Sequence, residues 1–228
     1  MCFSAEASFA ASTIIGLTGV LTLKRNPSRL LFFLAAIPVL FAIQQFAEGL
    51  LWLQLNHNWT RDQLYNYAKI IYLTFAFLIW PVWVPLSVLI PEKTLWRRNL
   101  IYLILACGIT LSAINLFFAL RQEISIQIIG HSLQYSGRLP SQTLIYPLII
   151  LLPCFISSLK NIWIFGLLIA MSYVTAHYFY SSAFVSVWCF FSAVVSLMIY
   201  KIIQNNSLAL EENICAPIKV PTNNTTKN

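Results

Sequence analysis

The sequence predicts an all-α fold: an integral membrane bundle of about seven transmembrane helices, amino terminus outside and carboxy terminus in the cytoplasm. Three observations predict it. Of the 228 residues, 59% are hydrophobic and only 9% are charged, against about 25% charged in soluble domains; so few charges cannot cover a water-facing surface. The hydrophobic residues fall in long blocks, as spanning helices require. The charges stand beside those blocks, where topology-setting charges stand.

The first block covers about 5–23 and stops at the polar run KRNPSR. The second, about 30–54, is followed by NHNWTRDQ. The third, about 64–90, contains WPVWVP from Trp80 to Pro85, whose two prolines predict a kinked or tapering helix. PEKTLWRRN separates it from the fourth, about 100–120. Residues 121–141 are different. Ile124, Ile126 and Ile128 alternate with polar residues, as do Leu133 and Tyr135 after IGHS, a period of two that predicts a hairpin-like loop outside the bilayer. The fifth block covers about 143–157. Residues 162–203 are too long for one span of ~20 residues and divide economically into 162–179 and 183–203, with six crossings in all as the alternative. Residues 1–203 thus read as one transmembrane domain, and the polar stretch 204–228 as a disordered cytoplasmic tail.

Lys and Arg set the orientation. Seven spans place Lys24, Arg25, Arg29, Lys93, Arg97, Arg98, Lys160 and Lys201 on one side, and Arg61, Lys69, Arg121 and Arg138 on the other. The richer side is cytoplasmic. No basic residue precedes the first block and no small-residue cleavage site follows it, so no cleavable signal is expected. The net charge of +7 lacks a basic cluster with interleaved aromatics, which argues against a nucleic-acid partner. The expected surroundings are the bilayer of a cell inner (plasma) membrane. Nothing in the sequence sets an oligomeric state.

On this topology the polar residues fall into one layer. At ~1.5 Å per residue, Glu48 lies near the outer boundary, with Gln44 and Gln45 one turn deeper. Glu6 opens the first helix there, Lys69 enters the third, Asn115 is in the outer third of the fourth, and His177 is near the outer end of the sixth. Phe41, Gln45, Glu48 and Trp52 share a helix face, as do Tyr65, Lys69 and Tyr72, then Tyr173, His177 and Tyr180. Ser4, Ser8 and Ser12 form a narrow strip of small residues, as do Ser182, Ser186 and Cys189. Groups so costly to place in lipid are expected to face the bundle interior.

The functional expectation is an outward-facing polar pocket that binds a small molecule or lipid headgroup in a sensor, binding protein or small carrier. Its candidate ligand-binding residues are Glu6, Gln44, Gln45, Glu48, Trp52, Lys69, Tyr72, Asn115, His177 and Ser186, with Glu48 and His177 at its centre. The alternatives are an intramembrane lipid-modifying enzyme using Glu48 and His177 as acid and base, and a structural or partner-binding subunit in which a Glu48–Lys69 ion pair and His177 only fix helix packing. No catalytic residue and no cofactor is assigned. No H-x-x-x-H or H-E-x-x-H occurs, so no metal site is expected, and no glycine-rich phosphate loop is present.

The opening MCFSAEAS and the segment QQFAEGLLW from Gln44 to Trp52 resemble an uncharacterised family of bacterial multi-pass membrane proteins that begin with MCFSAxAS and carry QQxxEGxxW. WPVWVP and SVWCFFSA, from Ser186 to Ala193, look like further segments of it. The resemblance covers most of the chain. It implies a bacterial membrane location, supplies no activity, and draws attention to Cys2, Glu6, Gln45, Glu48, Trp52 and Trp188.

Overall fold

The computed structural model describes residues 4–26, 28–57, 62–121, 124–129, 132–136, 145–180 and 183–206. Helix α1 (Ala5–Lys24) is capped by Ser4, whose hydroxyl accepts the Ala7 N–H at 3.2 Å. A 3-10 turn (Arg29–Leu31) and a short helix α2 (Phe32–Ala35) lead into α3 (Ile37–Asn56). Pro38 sits in the first turn of α3, where its missing N–H would have had no helical partner. Helices α1 and α3 cross through small residues. The Ser12 hydroxyl donates to the Ala42 carbonyl at 2.8 Å, and Gly19 lies so close to Val39 that a Cβ would stand 2.8 Å from the Val39 nitrogen. Small residues let two backbones approach where no hydrophobic effect drives helices together.

The third span, Gln63–Leu89, is built from α4 (Gln63–Thr74), a π-helical turn (Phe75–Ile79) and α5 (Trp80–Leu89). Its irregularity follows from WPVWVP. Pro81 has no N–H to give the Phe77 carbonyl, and Pro85 has none for the Pro81 carbonyl. Neighbouring helices supply replacements to three successive carbonyls. Ala76 accepts the Tyr146 hydroxyl, Phe77 accepts Asn115 Nδ2 at 3.1 Å, and Leu78 accepts Ser112 Oγ at 2.9 Å. Irregular backbone at membrane depth is tolerated only with such substitutes. Replacing Asn115 with leucine should therefore strand the Phe77 carbonyl and lower stability by about 1–3 kcal/mol. A melting temperature of the purified variant equal to wild type would show that bond to be dispensable.

Helix α6 (Leu95–Arg121) follows, then an antiparallel hairpin of β1 (Ser125–Ile129) and β2 (Ser132–Ser136), paired Ile126 to Tyr135 and Ile128 to Leu133. Period-two alternation puts Ile124, Ile126, Leu133 and Tyr135 on one buried face, and leaves Ser125 and Gln127 exposed. The hairpin closes one end of the bundle.

Helix α7 (Ile145–Ile156) has 12 residues, about 18 Å, short of the ~30 Å hydrocarbon core. Among the described residues, six helices are long and apolar enough to cross a membrane, and α7 is a shorter apolar helix beside them. Its first turn reaches the middle of the third span, where Tyr146 meets Ala76, and its last turn reaches the end opposite the hairpin. Helix α8 (Ile162–Phe179) begins after Asn161, which holds φ 66°, a left-handed conformation that asparagine tolerates. The last span, Phe184–Asn206, begins with α9 (Phe184–Val195) and runs three residues into the segment read as tail; the rest of that tail lies outside the described residues.

The end opposite the hairpin is held by polar latches. Glu92, 3% exposed in the turn after α5, accepts the Thr94 N–H at 3.0 Å, the Ser158 N–H at 2.7 Å and the Ser158 hydroxyl at 2.9 Å. Asn206 closes a second latch on the backbone of Lys160, accepting its N–H at 2.9 Å and donating to its carbonyl at 3.1 Å. Burial by itself would raise the Glu92 carboxyl; the hydrogen bonds from Ser158 and Thr94 together outweigh it and hold the group below its ordinary 4.5. A carboxyl depressed on folding contributes stability above the unfolded value, and loses it as pH falls through the folded value. The melting temperature of wild type should thus exceed that of Glu92→Gln at pH 7, and the gap should close as pH drops below about 4.5. A gap that persists undiminished in acid would remove the carboxylate as its source.

Candidate functional site

The polar layer expected from the sequence becomes a closed cluster beneath the hairpin. Helix α3 contributes Gln44, Gln45 and Glu48, each with no exposed surface. The Glu48 carboxylate accepts Gln45 Nε2 at 3.1 Å on one oxygen and the Ser186 hydroxyl, from the first turn of α9, on the other. Gln44 Oε1 accepts the Trp80 indole N–H at 2.7 Å, and the Trp80 ring stacks on Phe41 with centroids 3.9 Å apart. The Cys189 thiol lies beside Tyr72, Gln44 and Glu48. Above it, Tyr72 stacks against Tyr135 of the hairpin at 4.9 Å and 3° between ring planes. Four helices and a strand therefore meet in one cluster, with α3 and α9 holding the carboxylate itself.

Two features mark the cluster chemically. Among the described residues, no Lys, Arg or His side chain pairs with Glu48. Among the described residues, the buried side-chain atoms of α1 and α3 without a hydrogen-bond partner include Gln45 Oε1, Trp52 Nε1 and Ser8 Oγ. Gly49 packs directly on Phe9, which sets Ser8 at the depth of this layer. Unpaired polar atoms in a core cost about 1–3 kcal/mol each, and buried charge is retained in membranes mainly where it serves a purpose. An adjoining cavity, lined by Phe41, Trp80, Tyr146, Trp188 and Cys189, has a volume of about 30 Å³, enough for a water-sized group and too small for a metabolite.

The other candidate residues go elsewhere. Glu6 is exposed in the first turn of α1, where a negative charge complements the helix dipole. Trp52 and Tyr72 are buried in the cluster's surroundings. Asn115 is buried, but its amide serves the Phe77 carbonyl. Lys69 is partly exposed with its ammonium over the Tyr65 ring at 5.5 Å. His177 is exposed in the last turn of α8, stacked on Tyr173 at 5.9 Å. Neither the Glu48–His177 pair nor the Glu48–Lys69 pair forms. Glu48 is fully buried, whereas His177 is exposed and Lys69 is partly exposed with its ammonium held over the Tyr65 ring. Cys2, His131 and Ser182 lie outside the described residues. Among the described residues, no three His, Cys, Asp or Glu side chains gather to hold a metal.

Two participants escaped the sequence reading. Trp80 read as part of a kink, yet its indole is the donor that orients Gln44. Tyr146 drew no attention in the sequence, yet its hydroxyl donates to the Ala76 carbonyl in the π-helical turn. The proline four residues after Phe77 was the available signal, since it announces an unpaired carbonyl that some neighbour must satisfy.

The chain belongs to a family of unknown function (DUF6629), whose model matches residues 1–213. No curated protein and no solved structure matches it.

Proposed function

We propose that this family member crosses a bacterial inner membrane seven times, with its amino terminus and hairpin outside, and binds a small cationic or hydrogen-bonding ligand at Glu48 as a sensor or small carrier. The single observation that carries the binding reading is the Glu48 cluster: a fully buried carboxylate, held by one amide and one hydroxyl, with unpartnered polar atoms on its own helix and on α1. A carboxylate so buried, beside unpartnered polar atoms, calls for further hydrogen bonds, and a small ligand beneath the hairpin would bring them. The adjoining cavity limits the ligand to a few heavy atoms unless the hairpin moves.

The seven-crossing reading draws on the ends of the helices. Glu92, Ser158, Lys160 and Asn206 gather at the end opposite the hairpin, and α7 approaches that end from the middle of the third span, which supports reading it as part of a seventh crossing. Lys24, Arg25, Lys93, Arg97, Arg98, Lys160 and Lys201 neighbour the same end, which supports its cytoplasmic placement.

An intramembrane enzyme using Glu48 and His177 as an acid–base pair has less support, because His177 is on the exposed side of α8. The test is mass spectrometry of the gently purified full-length protein beside its Glu48→Gln variant. A small polar compound or cation is expected with wild type and lost from the variant. Equal yields of every co-purifying compound, or none with either protein, would overturn the binding reading in favour of a structural subunit.

A further inference from the structure

A second site is written on the flank of the bundle, independent of the Glu48 reading. Helix α6 packs closely on α5 and on the π-helical turn, yet hardly touches α4. The cause is the backbone of the third span. The π-helical turn inserts extra backbone at Phe75–Ile79, and Pro81 follows at once; both are standard origins of a sharp bend. Below the bend, Gly108 clamps α6 onto α5. Above it, α4 leans away. The two helices thus form a V whose apex is the Asn115–Phe77 bond and whose mouth lies at the hairpin end.

The V encloses a groove of about 410 Å³, lined by Leu73, Phe77, Leu116 and Ala119 along its length and by Lys69 and Arg121 at its mouth. Both cations are steadied by aromatic rings: the Arg121 guanidinium lies 4.2 Å from the Phe117 centroid and the Lys69 ammonium 5.5 Å from the Tyr65 centroid. The groove walls are open to the hydrocarbon, with Ile70 58% and Leu120 80% exposed. Apolar walls facing lipid, ending in two positive charges from different helices at headgroup level, match one ligand class: an amphiphile with an acyl chain and an anionic head.

The geometry points to this groove as a binding site for an anionic phospholipid of the hairpin-side leaflet, its phosphate between Lys69 and Arg121 and one acyl chain against Leu73, Phe77 and Leu116. The bend that serves the fold also opens the site. Asn115 has two consequences here: it satisfies the carbonyl freed by Pro81, and in doing so it fixes where the V closes.

The test titrates phosphatidylglycerol and, separately, phosphatidylcholine into the detergent-solubilised full-length protein, reading bound lipid by native mass spectrometry and the melting temperature. Wild type should retain phosphatidylglycerol preferentially and gain the larger thermal shift from it. Basic residues at a membrane surface contribute about fivefold each to anionic-lipid affinity, so Lys69→Gln and Arg121→Gln should each weaken retention about fivefold and the pair about 25-fold. Both side chains are at the rim, so these variants should fold. Ala119→Phe, which fills the groove without touching its charges, should also lose the lipid. Equal retention of the two lipids by wild type, undiminished selectivity in the double variant, or full retention by Ala119→Phe would overturn the site. A thermal shift of the same size from inorganic phosphate alone would overturn it too, since the acyl chain would then play no part.

Discussion

Gly108→Ala should destabilise the protein by about 3 kcal/mol or more, even though alanine is the better helix former by about 1 kcal/mol. Two effects of opposite sign meet at this position, and geometry decides between them. A Cβ on Gly108 would stand 2.0 Å from the Pro81 carbonyl oxygen and 2.9 Å from its carbon. Those are backbone atoms of a packed helix, which cannot swing aside as a side-chain tip can. Helices α5 and α6 would have to part by more than an ångström. The Ser112–Leu78 and Asn115–Phe77 bonds, at 2.9 and 3.1 Å, would stretch beyond useful length with them. The propensity gain is therefore swamped. Gly16→Ala is the control, because its Cβ would meet only the Ala42 side chain at 3.3 Å. Denaturation of both variants in the same detergent checks the contrast; near-equal stabilities would mean that α5 and α6 are not clamped at Gly108.

Glu48→Ala and Glu48→Gln should diverge. Alanine removes the acceptor of both the Gln45 amide and the Ser186 hydroxyl, leaves those donors buried, and opens a cavity, an expected loss of about 3 kcal/mol. Glutamine keeps the volume. Its carbonyl can still accept from Gln45, and its amide can donate to Ser186, whose hydroxyl is able to accept as well as donate. Folding should then change by less than about 1 kcal/mol, while any stabilisation by the ligand that co-purifies with wild type should disappear. Thermal unfolding of both variants, with and without that compound, separates the roles. A Glu48→Gln protein still stabilised as strongly as wild type would remove the charge from the binding reading; a Glu48→Ala protein as stable as wild type would remove the cluster from the fold.

Much of the architecture was legible in the chain. The alternation Ile124, Ile126, Ile128 announced the hairpin, because side-chain period depends only on local backbone geometry. The burial of Gln44, Gln45, Glu48 and Asn115 was expected from the cost of placing such groups in lipid, and all four are buried. WPVWVP announced an irregular third span. Less legible was the fifth block: its apolar run from Thr143 to Ser157 reads as a span, yet the helix described over Ile145–Ile156 has only 12 residues, beginning where Tyr146 is needed by the third span.

The sequence by itself determined that this is a membrane helical bundle and predicted a layer of polar residues near one face, since length, hydropathy and charge placement are properties of each segment alone. Only the tertiary structure decided which members of that layer meet. Depth follows from counting residues along a helix, but rotation about its axis is set by packing against neighbours: Gly19 on Val39, Gly108 on Pro81, Trp80 on Gln44. Those contacts turn Glu48 towards Ser186 and away from Lys69 and His177. The bend at the π-helical turn and Pro81, in turn, splays α4 from α6.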